Sequence, residues 1–111
     1  MVQTKLDDAS IARGLATLSG WTRDGDTLYR EFQFADFVTA FCFMSGAALV
    51  AERMNHHPEW SNVYRTVRVH LTTHDAGGIS ASDFELARSM DALARPLVKP
   101  ATRSGTDPTT G

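Results

Sequence analysis

An α+β domain is predicted: a four-stranded antiparallel sheet with three helices on one face, in the order α-β-β-α-β-β-α. Apolar residues recur at helical spacing in three segments, short alternating segments come in two pairs with turn residues between them, and acidic or hydroxyl residues suited to capping stand at the helix starts. At 111 residues, 42% apolar and 22% charged, the chain can build one core but not two and has ordinary globular composition. A single domain over residues 1–98 follows, with 99–111, rich in Pro, Thr, Ser and Gly, as a disordered tail.

The first helix is expected from Asp7 to Leu18, with Asp7 and Asp8 at its positive end, Ile11, Leu15 and Leu18 on one side, and Gly20 ending it. A hairpin follows over Gly20 to Phe34, with Trp21 on the first strand, a turn near Asp24-Gly25-Asp26 and Thr27 to Phe34 as the second strand. Asp36 is placed to cap the longest helix, about Phe37 to Asn55, with Phe37, Phe41, Met44, Ala48 and Ala51 as its buried seam and Cys42 inside the apolar pattern. Val38, Leu49 and Val50 make its other sides apolar too, which points to a homo-oligomer, dimer or tetramer, joined through this helix.

Pro58 ends that helix near His56, because the residue before proline is turned away from helical backbone. Trp60 to Tyr64 and Val67 to Thr73 form the second pair of strands around a turn near Arg65, with Val67, Val69 and Leu71 on the packed face and His70 among the exposed polar set. A glycine turn at His74 to Gly78 leads to a final helix ending near Arg95, capped through Ser80 and Asp83 or Ser82 and Glu85. Phe84, Ala87, Met90, Leu93, Ala94 and Leu97 are expected to pack inward.

A net charge of −2 without a basic run excludes an electrostatic footprint for nucleic acid or anionic membrane. The N-terminus lacks the apolar core of a signal peptide, so a cytoplasmic protein is expected. A single cysteine, Cys42, excludes an internal disulfide.

The chemistry concentrates between Glu52 and Asp83, where His56, His57 and His74 are gathered. Histidine titrates near neutrality, so two or three on one pocket can divide proton donation from proton acceptance. At a helix end the adjacent rings of His56 and His57 point in different directions, one still near the face that carries Glu52.

These residues stand in a pattern: an acidic residue, three residues, His-His-Pro, five residues, an aromatic, nine residues, His, eight residues, Asp. Glu52, His56-His57-Pro58, Tyr64, His74 and Asp83 meet it, with Trp60 two after the proline and Thr73-His-Asp-Ala-Gly-Gly78 around the last histidine. From about Leu15 to Leu93 the sequence resembles the pterin-4a-carbinolamine dehydratase family. The resemblance implies a lyase that removes water from 4a-hydroxytetrahydropterin, the product of aromatic amino acid hydroxylases, giving quinonoid dihydropterin for recycling. It implies no metal and no bound cofactor. Carried over by position, it makes His56, His57 and His74 catalytic and gives substrate contacts to Glu52, Asn55, Pro58, Trp60, Thr73, Asp75, Ala76 and Asp83. Asn55 departs from the acidic residue often found there. His74 and one of His56 or His57 form the expected acid–base pair, with Glu52 orienting His56.

Two other readings compete. Glu52, His56, His57 and His74 are possible zinc ligands by type, but adjacent histidines reach one ion only with backbone strain and the spacing matches no strong metal signature. An interaction or assembly factor on the same fold is the other, since the resembling family includes dimerisation cofactors of a homeodomain transcription factor and relatives with eroded histidines that assist assembly of a carbon-fixing enzyme. Retention of all three histidines favours catalysis.

Overall fold

The sheet sits at the centre of the computed structural model, which describes residues 3–97; the expected tail lies outside the described residues. Its order is β1 (Thr22–Asp24), β2 (Thr27–Gln33), β4 (Thr66–Leu71), β3 (Glu59–Val63), with every neighbouring pair antiparallel. The helices are α1 (Asp8–Leu15), α2 (Phe37–Met54) and α3 (Ala81–Ala94), and the chain runs α-β-β-α-β-β-α as its pattern predicts.

The register places Leu28 opposite Leu71 and Phe32 opposite Val67, so these side chains share the face that the helices cover. Tyr29 opposite His70 and Glu31 opposite Arg68 occupy the other face. His70 is half-buried rather than fully exposed, because its ring lies 4.6 Å from that of Tyr29 and its Nε2 is 3.1 Å from Asp24 Oδ2. The core gathers Trp21, Leu28, Phe32, Phe34, Val67, Val69 and Leu71 from the sheet side with Ile11, Phe43, Phe84, Leu86 and Met90 from the helices.

Three sequence expectations are corrected. The first helix stops at Leu15; Leu18 is buried from the turn that follows, where Leu18 N donates to Leu15 O. On α2 the buried seam is Ala40, Phe43, Ala47 and Ala51, whereas Phe37 and Phe41 are exposed. Cys42 is exposed as well. Both seams have helical spacing, and the small residues Ala40, Ala47 and Ala51 allow α2 to lie close against its neighbours while Phe43 fills the gap between Phe32 and Phe34. By length and composition alone α2 is long and apolar enough to cross a membrane; 22% of it is buried, and that part is the Ala40–Ala51 seam packed into the core.

Side chains close the starts of all three α-helices. Asp7 accepts from Ser10 N and Asp36 from Thr39 N, each at 2.8 Å, and these backbone donors hold both carboxyls below the ordinary aspartate pKa. A carboxyl lowered in the folded state stabilises above its unfolded pKa and loses that contribution as pH falls through the folded value. Asp36→Ala is therefore expected to lower the denaturant midpoint at neutral pH, with the gap to wild type narrowing as acid titrates the native carboxyl; parallel unfolding curves at several pH values check this. A gap that is constant with pH would remove the carboxylate from the argument.

Candidate active site

The end of α2 sets the first two histidines. Asn55 takes a left-handed conformation (φ 54, ψ 43), and its N–H and that of His56 return to Glu52 O and Ala51 O at 3.1 and 3.0 Å. Asparagine is among the few non-glycine residues that tolerate this backbone, so its presence at this position has a local reason. The helix thus ends at Met54, and His56 and His57 leave it in a new direction before Pro58.

The third histidine comes from the loop between β4 and α3. Thr73 N donates to Gly78 O and Gly77 N to Thr73 O, pinching residues 73–78 into a closed turn. Its tip is a single 3-10 turn, His74–Ala76, which Gly77 ends with φ 79, a conformation that glycine adopts without steric cost. His74 and Asp75 project from it.

Between these two segments lies a polar cleft of about 340 Å³, within the range of small-molecule sites. Asn55, His56, His57, Thr73, His74 and Asp75 line it, joined by Gln3, Met54 and Thr72, which sequence reasoning did not single out. Glu52, Pro58, Trp60, Ala76 and Asp83 do not line it. Trp60 instead borders a separate apolar groove of about 200 Å³ with Phe41, Met44, Ser45 and Ala48. Tyr64 occupies the β3–β4 turn with φ 53 and is exposed, at the end of β3 away from His74.

Each cleft histidine faces its own carboxylate. His57 Nε2 is 2.9 Å from Glu52 Oε1, and His74 Nε2 is 2.8 Å from Glu59 Oε2. Both of these pairs are open to solvent, where such contacts contribute about 0–1 kcal/mol and fix geometry weakly. His56 differs: its Nε2 is 2.6 Å from Asp83 Oδ1, its side chain is 10% exposed, and that of Asp83 is 0% exposed. The expectation that Glu52 orients His56 is corrected, since Glu52 meets His57 and Asp83 stands behind His56.

Asp83 is buried without being orphaned. Its Oδ2 accepts from Ser80 N (2.9 Å) and Thr73 Oγ1 (2.8 Å), leaving Oδ1 for His56. Ser80 accepts in turn from Ser82 N, which completes a reciprocal cap on α3. A carboxyl group without such partners would be costly to bury; here Ser80 N and Thr73 Oγ1 satisfy one of its oxygens at the start of α3. With an ionised Asp83 as its partner, His56 Nε2 is the nitrogen that donates, which leaves Nδ1 as the one to exchange a proton. The pair is a buried carboxylate–imidazole dyad at the wall of the cleft, the arrangement that fixes a tautomer and stabilises the ring as it takes up a proton.

Among the described residues no group of three His, Cys, Asp or Glu side chains lies close enough to hold a metal ion.

The family model described as Pterin 4 alpha carbinolamine dehydratase matches residues 4–93. A relative from Solibacter usitatus, provisionally named a pterin-4-alpha-carbinolamine dehydratase, is 57% identical over 91 residues, covering 82% of this chain and 96% of its own. One from Bradyrhizobium sp. (strain BTAi1), with the same provisional name, is 60% identical over 82 residues, covering 72% and 83%. The crystal structure of a transcriptional coactivator/pterin dehydratase from Brucella melitensis superposes with a TM-score of 0.81 at 42% identity, covering 82% of this chain and 99% of that one. A match this long, on the fold and spacing described, means that the chain belongs to the pterin 4 alpha carbinolamine dehydratase family.

Proposed function

We propose that this protein dehydrates 4a-hydroxytetrahydropterin to quinonoid dihydropterin by histidine general acid–base catalysis, as a step in tetrahydropterin recycling. The observation that carries the reading is the His56–Asp83 dyad in the wall of a cleft whose rim holds His57 and His74. In the reaction the bond from C4a to its hydroxyl breaks and the oxygen takes a proton to leave as water. The lone pair of the adjacent N5 forms the C4a=N5 double bond, and the N5 proton goes to a base. One proton is given and one is accepted, so the total is unchanged, and exchange with solvent returns donor and acceptor to their starting states.

His56, with Nε2 held on Asp83, is the group prepared to accept the proton at Nδ1. His74, on the exposed turn opposite, is the donor to the departing oxygen, and His57 contributes to binding. Asn55, Thr73 and Asp75 supply polar contacts, whereas Glu52 and Asp83 act through the histidines they touch. No step in this scheme requires a metal or a bound cofactor.

Dehydration of chemically generated 4a-hydroxytetrahydropterin, followed by absorbance against the spontaneous background, tests the proposal. Wild-type protein is expected to accelerate it, with His74→Ala reducing kcat by at least about 10²-fold. No acceleration by folded wild-type protein would reject the reading, and an unaffected His74→Ala would reject the role of His74.

A second copy of the chain on α2 is part of the same reading. Phe37, Val38, Phe41 and Leu49 expose large apolar surface there, and the groove beside Trp60 continues it. The same surface favours, as the second reading, a partner protein of the kind the Brucella structure's name suggests. Sedimentation of the purified chain separates them: a dimer or tetramer supports self-association, and a monomer favours the partner.

A further inference from the structure

The N-terminal arm takes no part in the histidine scheme, yet it reaches the cleft. Leu6 N donates to Ile79 O at 2.8 Å, and the stem of Lys5 lies over Gly78, where a Cβ would come within 3.0 Å of Lys5 Cε. These two contacts lay the arm across the loop that follows β4 and bring Gln3 into the lining of the cleft that His56 and Asp75 share. The Gln3 carboxamide is anchored on one side only. Ser82 Oγ donates to its Oε1 at 2.9 Å, with Ser80 Oγ at 3.3 Å, while no hydrogen bond engages the amide N–H donors among the described residues.

We infer that Gln3 is a substrate-binding residue whose amide N–H donors hydrogen-bond the pyrimidinone oxygen of the pterin, an inference that rests on the dehydratase reading above. The 2-amino-4-oxo edge of a pterin presents N–H donors beside an oxygen acceptor. A carboxamide and the Asp75 carboxylate lining one cleft supply the complementary types, a donor and an acceptor, and a primary amide is a side chain suited to such paired edges. Gln3 lies just outside residues 4–93 that match the family, so the family likeness contributes nothing to this assignment.

Steady-state dehydration by the full chain tests it, comparing wild type with Gln3→Ala and Gln3→Glu. Gln3→Ala is expected to raise KM by about 5–30-fold, the effect of one or two hydrogen bonds, with kcat within about twofold. Gln3→Glu keeps an acceptor for Ser82 but removes the donors, so its KM rises at least as far, and both variants keep the wild-type melting temperature. Competitive inhibition adds a direct readout: wild type prefers a 4-oxopteridine over its 4-amino counterpart, and Gln3→Ala loses that preference. Unchanged KM and preference in an active enzyme would overturn the assignment. So would a fall in kcat with an altered pH profile at constant KM, which would mean that Gln3 acts through Ser80, Thr73 and Asp83 instead of on the substrate. Wild-type protein without acceleration would instead overturn the dehydratase reading, and this inference with it.

Discussion

Replacing Asp83 by Asn is expected to lower kcat for dehydration by about 10²–10⁴-fold, the range of a lost general base. The substitution is nearly isosteric, so its effect comes from protons. Asp83 accepts from Ser80 N and Thr73 Oγ1 and, when ionised, from His56 Nε2. An asparagine amide has one oxygen, and Ser80 N, a backbone donor that cannot turn away, claims it. The NH₂ group then faces His56 Nε2 and requires that nitrogen to accept, which moves the ring proton to Nδ1, the position the reaction needs empty. Stability should fall only modestly, because the cap on α3 survives in part. Rate and unfolding measured on the same preparation decide the matter: a large loss of kcat with a cooperative, near-normal transition supports the tautomer argument. Activity near wild type would show that His56 does not take the proton at Nδ1.

The same residue shows where sequence reading reached and where it stopped. That Ser80 and Asp83 form a cap is local, a matter of three residues, and the pattern predicts it. That the cap's carboxylate also serves His56, 27 residues away, depends on how α2 and α3 meet, and no local periodicity encodes that. Glu59 was given no role by the sequence, which starts the strand at Trp60, although it meets His74 across 15 residues. Gln3 meets Ser82 across 79 and left no signal at all. The His-His-Pro corner, by contrast, was readable because a proline and a helix end act on their immediate neighbours. The element order was readable for a related reason: β-strand alternation and capping are short-range, and each agrees with the sheet that forms.

Phe43→Ala is expected to destabilise the fold by about 3–5 kcal/mol, whereas Phe41→Ala, two residues away, should leave an isolated subunit within about 0.5 kcal/mol of wild type. Phe43 is 1% exposed, with its ring centroid 4.7 Å from that of Phe32 and 5.0 Å from that of Phe34. Truncation there removes the side chain that joins α2 to β2, and small neighbours such as Ala40 and Ala47 offer nothing to refill the space. A loss of that size is a large share of the about 5–15 kcal/mol that holds a domain of ordinary stability together. It also loosens the helix whose end carries His56, so activity should fall with folding. Phe41 is 56% exposed and faces the apolar groove beside Trp60. Sequence could not choose between the two faces, because α2 is apolar around most of its circumference and both seams keep helical spacing. Denaturant unfolding of the two variants makes the choice: similar large losses at high dilution would restore the seam through Phe37 and Phe41. If a second copy covers Phe41, the Phe41→Asp variant should sediment at lower mass than wild type while its subunit stays folded, and a mass equal to wild type would remove α2 from the interface.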